Sequence, residues 1–206
     1  EAAAGDPDVR VVVVTGSGRA FSTGADLKAL AEPRPEEPEA ATGDSNGFDR
    51  LLDDLADFPK PLLMAVNGYA VGFGMTMLAF ADIVFMSTEA RLRCPFTELG
   101  APTEAGSSYL FPKLLGRQQA AWTLLSSEWI TAEQAQAMGL AWRLCEPDEL
   151  LALTHDHAQR LAGHGVEALT QVKRLLNAPE RAELAAAFER EREALAVFVA
   201  SFSSPS

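Results

Sequence analysis

The chain has 206 residues, 48% of them hydrophobic and 22% charged, which suits one globular domain with a well-buried core. Its formal net charge is -12, so we expect neither nucleic acid nor an anionic membrane as a partner, because like charges repel. Two cysteines form neither a disulfide framework nor a metal quartet, and no apolar run reaches membrane-spanning length, so we expect a cytoplasmic protein. Because the chain opens at Glu1 without Met, we also expect a segment before it.

Strand and helix patterns alternate through the first half of the chain. The β-branched residues 9–14 predict a parallel strand buried on both faces. The predicted elements of this half are strands at residues 9–14, 62–66, 83–86 and 90–93, and helices at residues 25–31, 48–58 and 73–80. Residues 32–47 are Pro-rich and acidic without periodicity, which predicts a mobile loop. This alternation implies right-handed βαβ crossovers and a layered α/β core.

The second half of the chain is predicted to be mainly helical. Thr131 and Gln134 have capping-box spacing, and an apolar strand is predicted at residues 140–145. Amphipathic helices are predicted at residues 149–163, 166–178 and 180–201. The last helix carries apolar residues near helical spacing, which fit either a core-facing stripe or a docking face for another subunit: Leu184, Phe188, Leu195 and Phe198. We therefore predict a core region at residues 1–126 and a helical C-terminal region at residues 127–206.

Two glycine-rich turns are candidate binding sites. The first turn contains Ser22, Gly24, Ala25, Asp26 and Leu27, where small residues let a ligand approach the backbone. Unpaired N–H groups at a helix start suit the binding of an oxyanion. Taken alone, such a turn is more often an ordinary loop-to-helix junction.

The second turn breaks the strand at residues 62–66 in the same way. It runs from Asn67 through Gly72 and Phe73 to Thr76. If both turns follow adjacent strands of one sheet, their amides meet at the same edge, where open α/β sheets bind ligands. This expected convergence favours a functional interpretation of both turns.

Several common catalytic patterns are missing from the sequence. Phe21 stands where a dinucleotide fingerprint needs its third glycine, and no P-loop lysine or nucleophile-elbow serine motif is present. The histidines lie in the late helical region, where we predict surface positions: His155, His157 and His164. We therefore predict neither a metal centre nor a Ser-His-Asp triad.

The two turns resemble signatures of the crotonase superfamily, also called the enoyl-CoA hydratase/isomerase family. The similar segments are residues 21–27, residues 67–74 and the later residues 131–140, and the resemblance extends over essentially the whole chain from Val9. It implies an α/β spiral of ββα units with a C-terminal helical trimerisation region. It also implies a homotrimer or hexamer, acyl-CoA substrates without a further cofactor, and a role in fatty-acid β-oxidation.

The resemblance also implies roles for individual residues. The backbone amides of Ala25 and Phe73 would form an oxyanion hole, although Phe73 stands where the family usually has glycine. The segment from Ala25 to Leu27 would also line the adenine end of CoA. The remaining positions implied to contact the substrate are Ser22, Gly24, Gly72 and Phe96. Four basic residues are candidates for ionic contacts to the CoA phosphates, and each is at least as easily explained as an ordinary solvated charge: Arg19, Lys28, Lys173 and Arg174.

The identity of the reaction depends on the acidic residues. Family hydratases carry two glutamates, which would fall at Thr76 and Phe96, and neither residue titrates. Glu98 is predicted to be solvated. The segment at residues 95–113 resembles the Δ3,Δ2-enoyl-CoA isomerase branch, and its single catalytic glutamate matches Glu104.

Three alternatives stay open at this point. Glu104 could simply complement a helix dipole. The chain could run a hydratase or another crotonase-type reaction, such as dienoyl isomerisation. It could also be a non-catalytic acyl-CoA-binding module.

Overall fold

The computed structural model describes residues 2–24 and 45–203 of the chain. Its strands are β1 (Val12–Thr15), β2 (Ala20–Ser22), β3 (Leu62–Val66), β4 (Tyr69–Val71), β5 (Ile83–Ser87), β6 (Arg91–Arg93), β7 (Ile130–Thr131) and β8 (Arg143–Cys145). Its α-helices are α1 (Ala2–Gly5), α2 (Ser45–Ala56), α3 (Phe73–Thr76), α4 (Ser107–Leu115), α5 (Arg117–Ser126), α6 (Ala132–Ala137), α7 (Leu150–Ala162), α8 (Val166–Asn177) and α9 (Arg181–Ser203). Short 3-10 helices extend α3 over Met77–Phe80 and precede α9 over Ala178–Glu180.

Alternate strands pair into two four-stranded sheets. The first has the order β1-β3-β5-β8 and is parallel throughout. The second has the order β2-β4-β6-β7, and only β6 and β7 pair antiparallel. From β1 to β6, successive strands therefore alternate between the two sheets, whereas β7 joins β6 in the second sheet and β8 returns to the first. Helix α3 follows β4. The strand–helix pattern predicts the first sheet, whereas β2, β4 and β7 are additional strands of two or three residues.

The first sheet is covered on both faces. All five residues of β3 are buried, as the apolar run predicts. Met64 packs in a cluster with Leu92 of the second sheet, whereas Leu63 packs in another cluster with Leu150 of α7. The second sheet, whose strands β2 and β4 lead into the two glycine-rich turns, is thereby fixed against a close-packed core.

Most predicted helices are confirmed, with small changes at their ends. Helix α2 begins at Ser45, so the last residues of the predicted loop are helical. The predicted helix at residues 25–31 and the rest of that loop lie outside the described residues. Helix α6 has the predicted capping box, in which the Gln134 N–H donates to Thr131 Oγ1 over 3.3 Å. None of the described helices is long and apolar enough to cross a membrane.

Two details of the helical region refine the sequence predictions. Leu184 and Phe188 of α9 are buried against Leu110 of α4, so the first half of the predicted stripe faces the core. His157 is only partly exposed, because its ring packs against aromatic neighbours. The ring centroids lie 5.0 Å from Phe85 and 5.4 Å from Trp142. The strands β7 and β8 of the C-terminal region each complete one of the sheets.

Candidate active site

The two glycine-rich turns meet, as the sequence predicts, but through the second sheet. They follow β2 and β4, which pair in parallel with Ser22 beside Ala70. A methyl group on Gly24 would lie 3.5 Å from the backbone nitrogen of Phe73, and one on Gly74 would lie 2.1 Å from the Ser22 carbonyl oxygen. Glycine is therefore required at position 74, because a side chain there would force the two turns apart, whereas the 3.5 Å distance at Gly24 is an ordinary van der Waals contact.

The second turn presents a backbone donor at the start of α3. Gly72 has a φ of 56°, in the left-handed region that favours glycine, and its N–H donates to the Arg93 carbonyl over 2.9 Å. Phe73 is the first residue of the helix, so its N–H lacks a partner in the helix itself. No acceptor for this N–H lies within residues 2–24 and 45–203. The position therefore suits an oxyanion.

The side chain of Phe73 closes one wall of the site. Its ring meets the ring of Phe48 edge to face, with centroids 5.1 Å apart. It also packs against the apolar cluster that contains Ala105, the residue after Glu104. The phenyl ring therefore brings α2, the second turn and the Glu104 segment together.

The two positions at which the resemblance places hydratase glutamates are buried and do not titrate. The Thr76 hydroxyl lies 3.4 Å from the carbonyl oxygens of Gly72 and Phe73, so it is satisfied within its own helix. Phe96 is buried in the cluster that also holds Met75 and Cys94. Neither position supplies an acid or a base.

Glu104 lies in a tight segment just before α4. Ala105 and Gly106 follow it with φ values of 60° and 68°, both in the left-handed region. The Ser107 hydroxyl donates to the Glu104 carbonyl over 2.6 Å and also hydrogen-bonds the Thr103 hydroxyl. This conformation ends the loop abruptly, and Glu104 itself is half-buried.

The surroundings of Glu104 raise its affinity for a proton. Burial, and then the charge of Glu191, raise the pKa of Glu104 from its ordinary 4.5 to about 7. Burial, and then the charge of Glu104, raise the pKa of Cys94 well above its usual range. Cys94 Sγ in turn lies 3.5 Å from Met75 Sδ of α3. A carboxyl group with a pKa near 7 suits general-base chemistry at neutral pH.

Sequence reasoning missed one functional candidate, Glu191. This residue of α9 is buried, and its carboxylate accepts hydrogen bonds from Gly106 N–H over 2.7 Å and from Ser108 N–H over 2.9 Å. The helical period offers a signal, because Leu184 and Phe188 on the same face are core residues. A glutamate three residues after Phe188 therefore points inward.

Three predicted site residues lie outside the described residues: Ala25, Asp26 and Leu27. Glu98 is exposed and forms an ion pair with Arg93, in keeping with the predicted solvated position. The suggested CoA contact of Lys173 is wrong, because this lysine is buried. Its ammonium group donates to Asp82 Oδ2 over 2.7 Å and to the Lys60 carbonyl over 2.9 Å.

Known proteins resemble this chain over most of its length. A family model described as enoyl-CoA hydratase/isomerase matches residues 1–204. The 2,3-dehydroadipyl-CoA hydratase of Escherichia coli (strain K12) is 34% identical over 201 residues, which are 98% of this chain and 77% of that protein. The peroxisomal enoyl-CoA delta isomerase 3 of Mus musculus is 40% identical over 130 residues, which are 63% of this chain and 41% of that protein.

A solved structure gives the same answer for the fold. The crystal structure of an enoyl-CoA hydratase from Mycobacterium marinum is 51% identical, with a TM-score of 0.77. The match covers 86% of this chain and 82% of that one. The predicted resemblance and the predicted crotonase-like α/β fold with a C-terminal helical region are both confirmed.

Proposed function

This chain belongs to the enoyl-CoA hydratase/isomerase family, and from that premise we propose that it is a Δ3,Δ2-enoyl-CoA isomerase with Glu104 as its base. Its relatives include proteins named as hydratases and as isomerases, so the choice between the reactions depends on the site residues. The observation that carries the proposal is the environment of Glu104, which raises its pKa to about 7, while Thr76 and Phe96 provide no second carboxylate.

In the proposed reaction, Glu104 removes a proton from C2 of a 3-enoyl-CoA thioester. The electrons of that C–H bond form a C1–C2 double bond, and the carbonyl π electrons move onto the thioester oxygen. When C4 then takes up a proton from the same carboxyl group, the carbonyl re-forms, the double bond moves to C2–C3, and C3–C4 becomes a single bond. No atoms are gained or lost, so one carboxylate that reaches both carbons is sufficient.

The intermediate of this reaction carries negative charge on the thioester oxygen. We propose that the N–H of Phe73 binds this oxygen, because it points out of the start of α3 and has no described acceptor. The second donor in the proposal is the N–H of Ala25, which follows the Gly24 turn. Two preorganised donors of this kind contribute roughly 3 kcal/mol each to the transition state.

Hydration of a 2-enoyl-CoA makes different demands on the site. A water molecule must be activated by one group while another group protonates the substrate carbon. The positions that would supply these groups hold the Thr76 hydroxyl, which is satisfied by backbone carbonyls, and the apolar ring of Phe96. These residues favour isomerisation over hydration.

We further propose a homotrimer or hexamer that takes acyl-CoA as its substrate and needs no other cofactor. Helix α8 carries exposed apolar residues on one face, with helical spacing, and these support association with further copies: Val172, Leu175 and Leu176. Light scattering after gel filtration tests this assembly, and a monomeric mass would contradict it.

The function is tested by assaying Glu104→Gln beside the wild type on 3-hexenoyl-CoA. We expect isomerisation to fall by roughly 10²- to 10⁴-fold, because a neutral amide cannot accept the C2 proton. Glu98→Gln is the matched control, because it removes an exposed carboxylate from the same segment and should leave the rate within about twofold.

Binding of a non-reactive acyl-CoA to both variants by calorimetry separates chemistry from binding. Unchanged affinity with lost turnover supports Glu104 as the base. Normal turnover in Glu104→Gln would refute the proposed role. Binding without isomerisation in the wild type would indicate another crotonase-type reaction or a non-catalytic acyl-CoA-binding module.

A further inference from the structure

We propose that Glu191, on the C-terminal helix α9, is a positioning residue that holds the Glu104 segment in its reactive conformation through the N–H groups of Gly106 and Ser108. This inference rests on the proposed function of Glu104. It assigns a role to a carboxylate that does not touch the substrate and lies far from Glu104 in sequence.

The first observation is the hydrogen bonding of Glu191. Its two carboxylate oxygens are 2.7 Å from the Gly106 nitrogen and 2.9 Å from the Ser108 nitrogen, and the residue is 8% exposed. These N–H groups belong to the first turn of α4, where the helix itself provides no acceptors. A buried carboxylate is costly, and two backbone donors at a helix N-terminus offset that cost. Glu191 therefore caps α4 from outside the segment.

The second observation is the backbone that Glu191 holds. Ala105 and Gly106 are consecutive residues in the left-handed region, and Ala105 is not a glycine, so its conformation is unfavourable on its own. Glu191 binds the amide directly after Ala105 and the amide two residues further on. The strained part of the loop is thus fixed on its C-terminal side, two residues after Glu104.

Packing of α9 reinforces the same contact. A methyl group on Gly106 would lie 2.5 Å from Leu184 Cδ1 and 2.9 Å from Phe188 Cε1. Both side chains lie on the helix face that carries Glu191, at spacings of seven and three residues. Helix α9 therefore contacts the Glu104 segment both through apolar packing and through the hydrogen bonds of the Glu191 carboxylate.

The third observation concerns charge. The negative charge of Glu191 is the second cause, after burial, of the raised pKa of Glu104. Cys94 is the other described ionisable group whose pKa is coupled to Glu104, and burial keeps its thiol neutral. Glu191 is therefore expected to set both the position and the basicity of Glu104.

The test separates position from charge with two variants of Glu191. Glu191→Gln removes the charge and replaces one of the two accepting oxygens with an NH₂ group, which cannot accept a hydrogen bond. Glu191→Asp keeps the charge but shortens the side chain by one methylene group. Glu193→Gln is the control, because Glu193 is exposed on the same helix and makes the same change in net charge. Thermal unfolding of each variant identifies the temperature at which it is fully folded.

Two readouts are measured on the folded proteins. The first is the titration of the Glu104 carboxyl carbon by NMR in the ligand-free protein, assigned with Glu104→Gln. The second is kcat and KM for 3-hexenoyl-CoA between pH 5 and pH 9. The titration needs no substrate, so it tests the role of Glu191 even if the wild type does not isomerise this thioester.

For Glu191→Gln we expect the Glu104 titration to move to lower pH, with a fall of roughly 10- to 100-fold in kcat and little change in KM. Glu191→Asp should keep the titration near that of the wild type while kcat falls. An unchanged titration midpoint in Glu191→Gln would overturn the proposal. If the wild type is active, an unchanged kcat in Glu191→Gln would overturn it as well. If the midpoint moves in Glu191→Gln but the wild type shows no isomerase activity, the result supports the role of Glu191 and refutes only the proposed reaction.

Discussion

Replacing Glu104 with Gln should stabilise the protein at alkaline pH, even though it abolishes the proposed reaction. The pKa of Glu104 is raised from 4.5 to about 7, first by burial and then by Glu191. The folded state therefore binds more protons than the unfolded state between these two pH values. Its stability consequently falls as the pH rises through this window, because the proton must be lost from a buried site.

The magnitude follows from the two pKa values. The difference of about 2.5 pH units (7 minus 4.5) corresponds to about 3 kcal/mol, at about 1.36 kcal/mol per unit. This penalty is complete above pH 7 and is below about 1 kcal/mol at pH 5 by the same relation. Glutamine has the same length and no charge, so Glu104→Gln avoids the penalty.

Urea denaturation at pH 8.5 and at pH 5 measures the effect. We expect Glu104→Gln to unfold with a free energy up to about 3 kcal/mol higher than the wild type at pH 8.5, and to show less than about 1 kcal/mol of gain at pH 5. Glu98→Gln, at an exposed carboxylate, should show no such pH dependence. A Glu104→Gln protein that gains nothing at pH 8.5 would refute the idea that Glu104 is held in a strained, desolvated state.

Three further sets of substitutions test other parts of the molecule. Gly106→Ala should lower the free energy of unfolding by roughly 3 kcal/mol, because it combines a left-handed φ with a methyl group 2.5 Å from an α9 side chain. Gly116 also has a left-handed φ, +81°, but a methyl group there would contact nothing, so Gly116→Ala should lower the free energy of unfolding by only roughly 1 kcal/mol. Equal losses for Gly106→Ala and Gly116→Ala in urea titrations would contradict the packing argument. Phe73→Ala keeps the backbone N–H and opens the wall of the site. The kcat/KM for 3-dodecenoyl-CoA, divided by that for 3-hexenoyl-CoA, should therefore rise at least about fivefold. A constant ratio would exclude Phe73 from the acyl pocket. Lys173→Met should lower the free energy of unfolding by roughly 3 kcal/mol, because Asp82 loses its buried partner. Adding Asp82→Asn should recover part of that loss in the same urea titration. No recovery would show that the ion pair is not the cause.

The regular elements of the core could be predicted from sequence because they follow from local patterns. Strand β3 is predicted with its observed bounds, since a continuous apolar run lies between Pro61 and Asn67. Strands β2 and β4 are different. Each has three residues beside a glycine-rich turn, and what makes them strands is their pairing with each other across about fifty residues of chain. No local propensity reports that pairing.

The candidate site likewise contains residues that could be predicted from sequence and one that could not. The two turns and Glu104 could be found because their residue types stand in recognisable segments. Glu191 could not be assigned a role, because its partners at Gly106 and Ser108 are 85 and 83 residues away. The buried stripe of α9 indicates only that Glu191 faces inward, and the fold alone determines what it meets.

The measurement that tests the central claim most directly is the product formed by the wild type at pH 8 from 3-hexenoyl-CoA, with hydration of 2-hexenoyl-CoA assayed beside it. A one-base site built on Glu104, with Thr76 and Phe96 in place of a second acid, predicts 2-trans-hexenoyl-CoA as the product. It also predicts that hydration is slower by roughly 10²-fold or more. Hydration as fast as isomerisation would contradict it, because a second acid–base group would then have to act in this site.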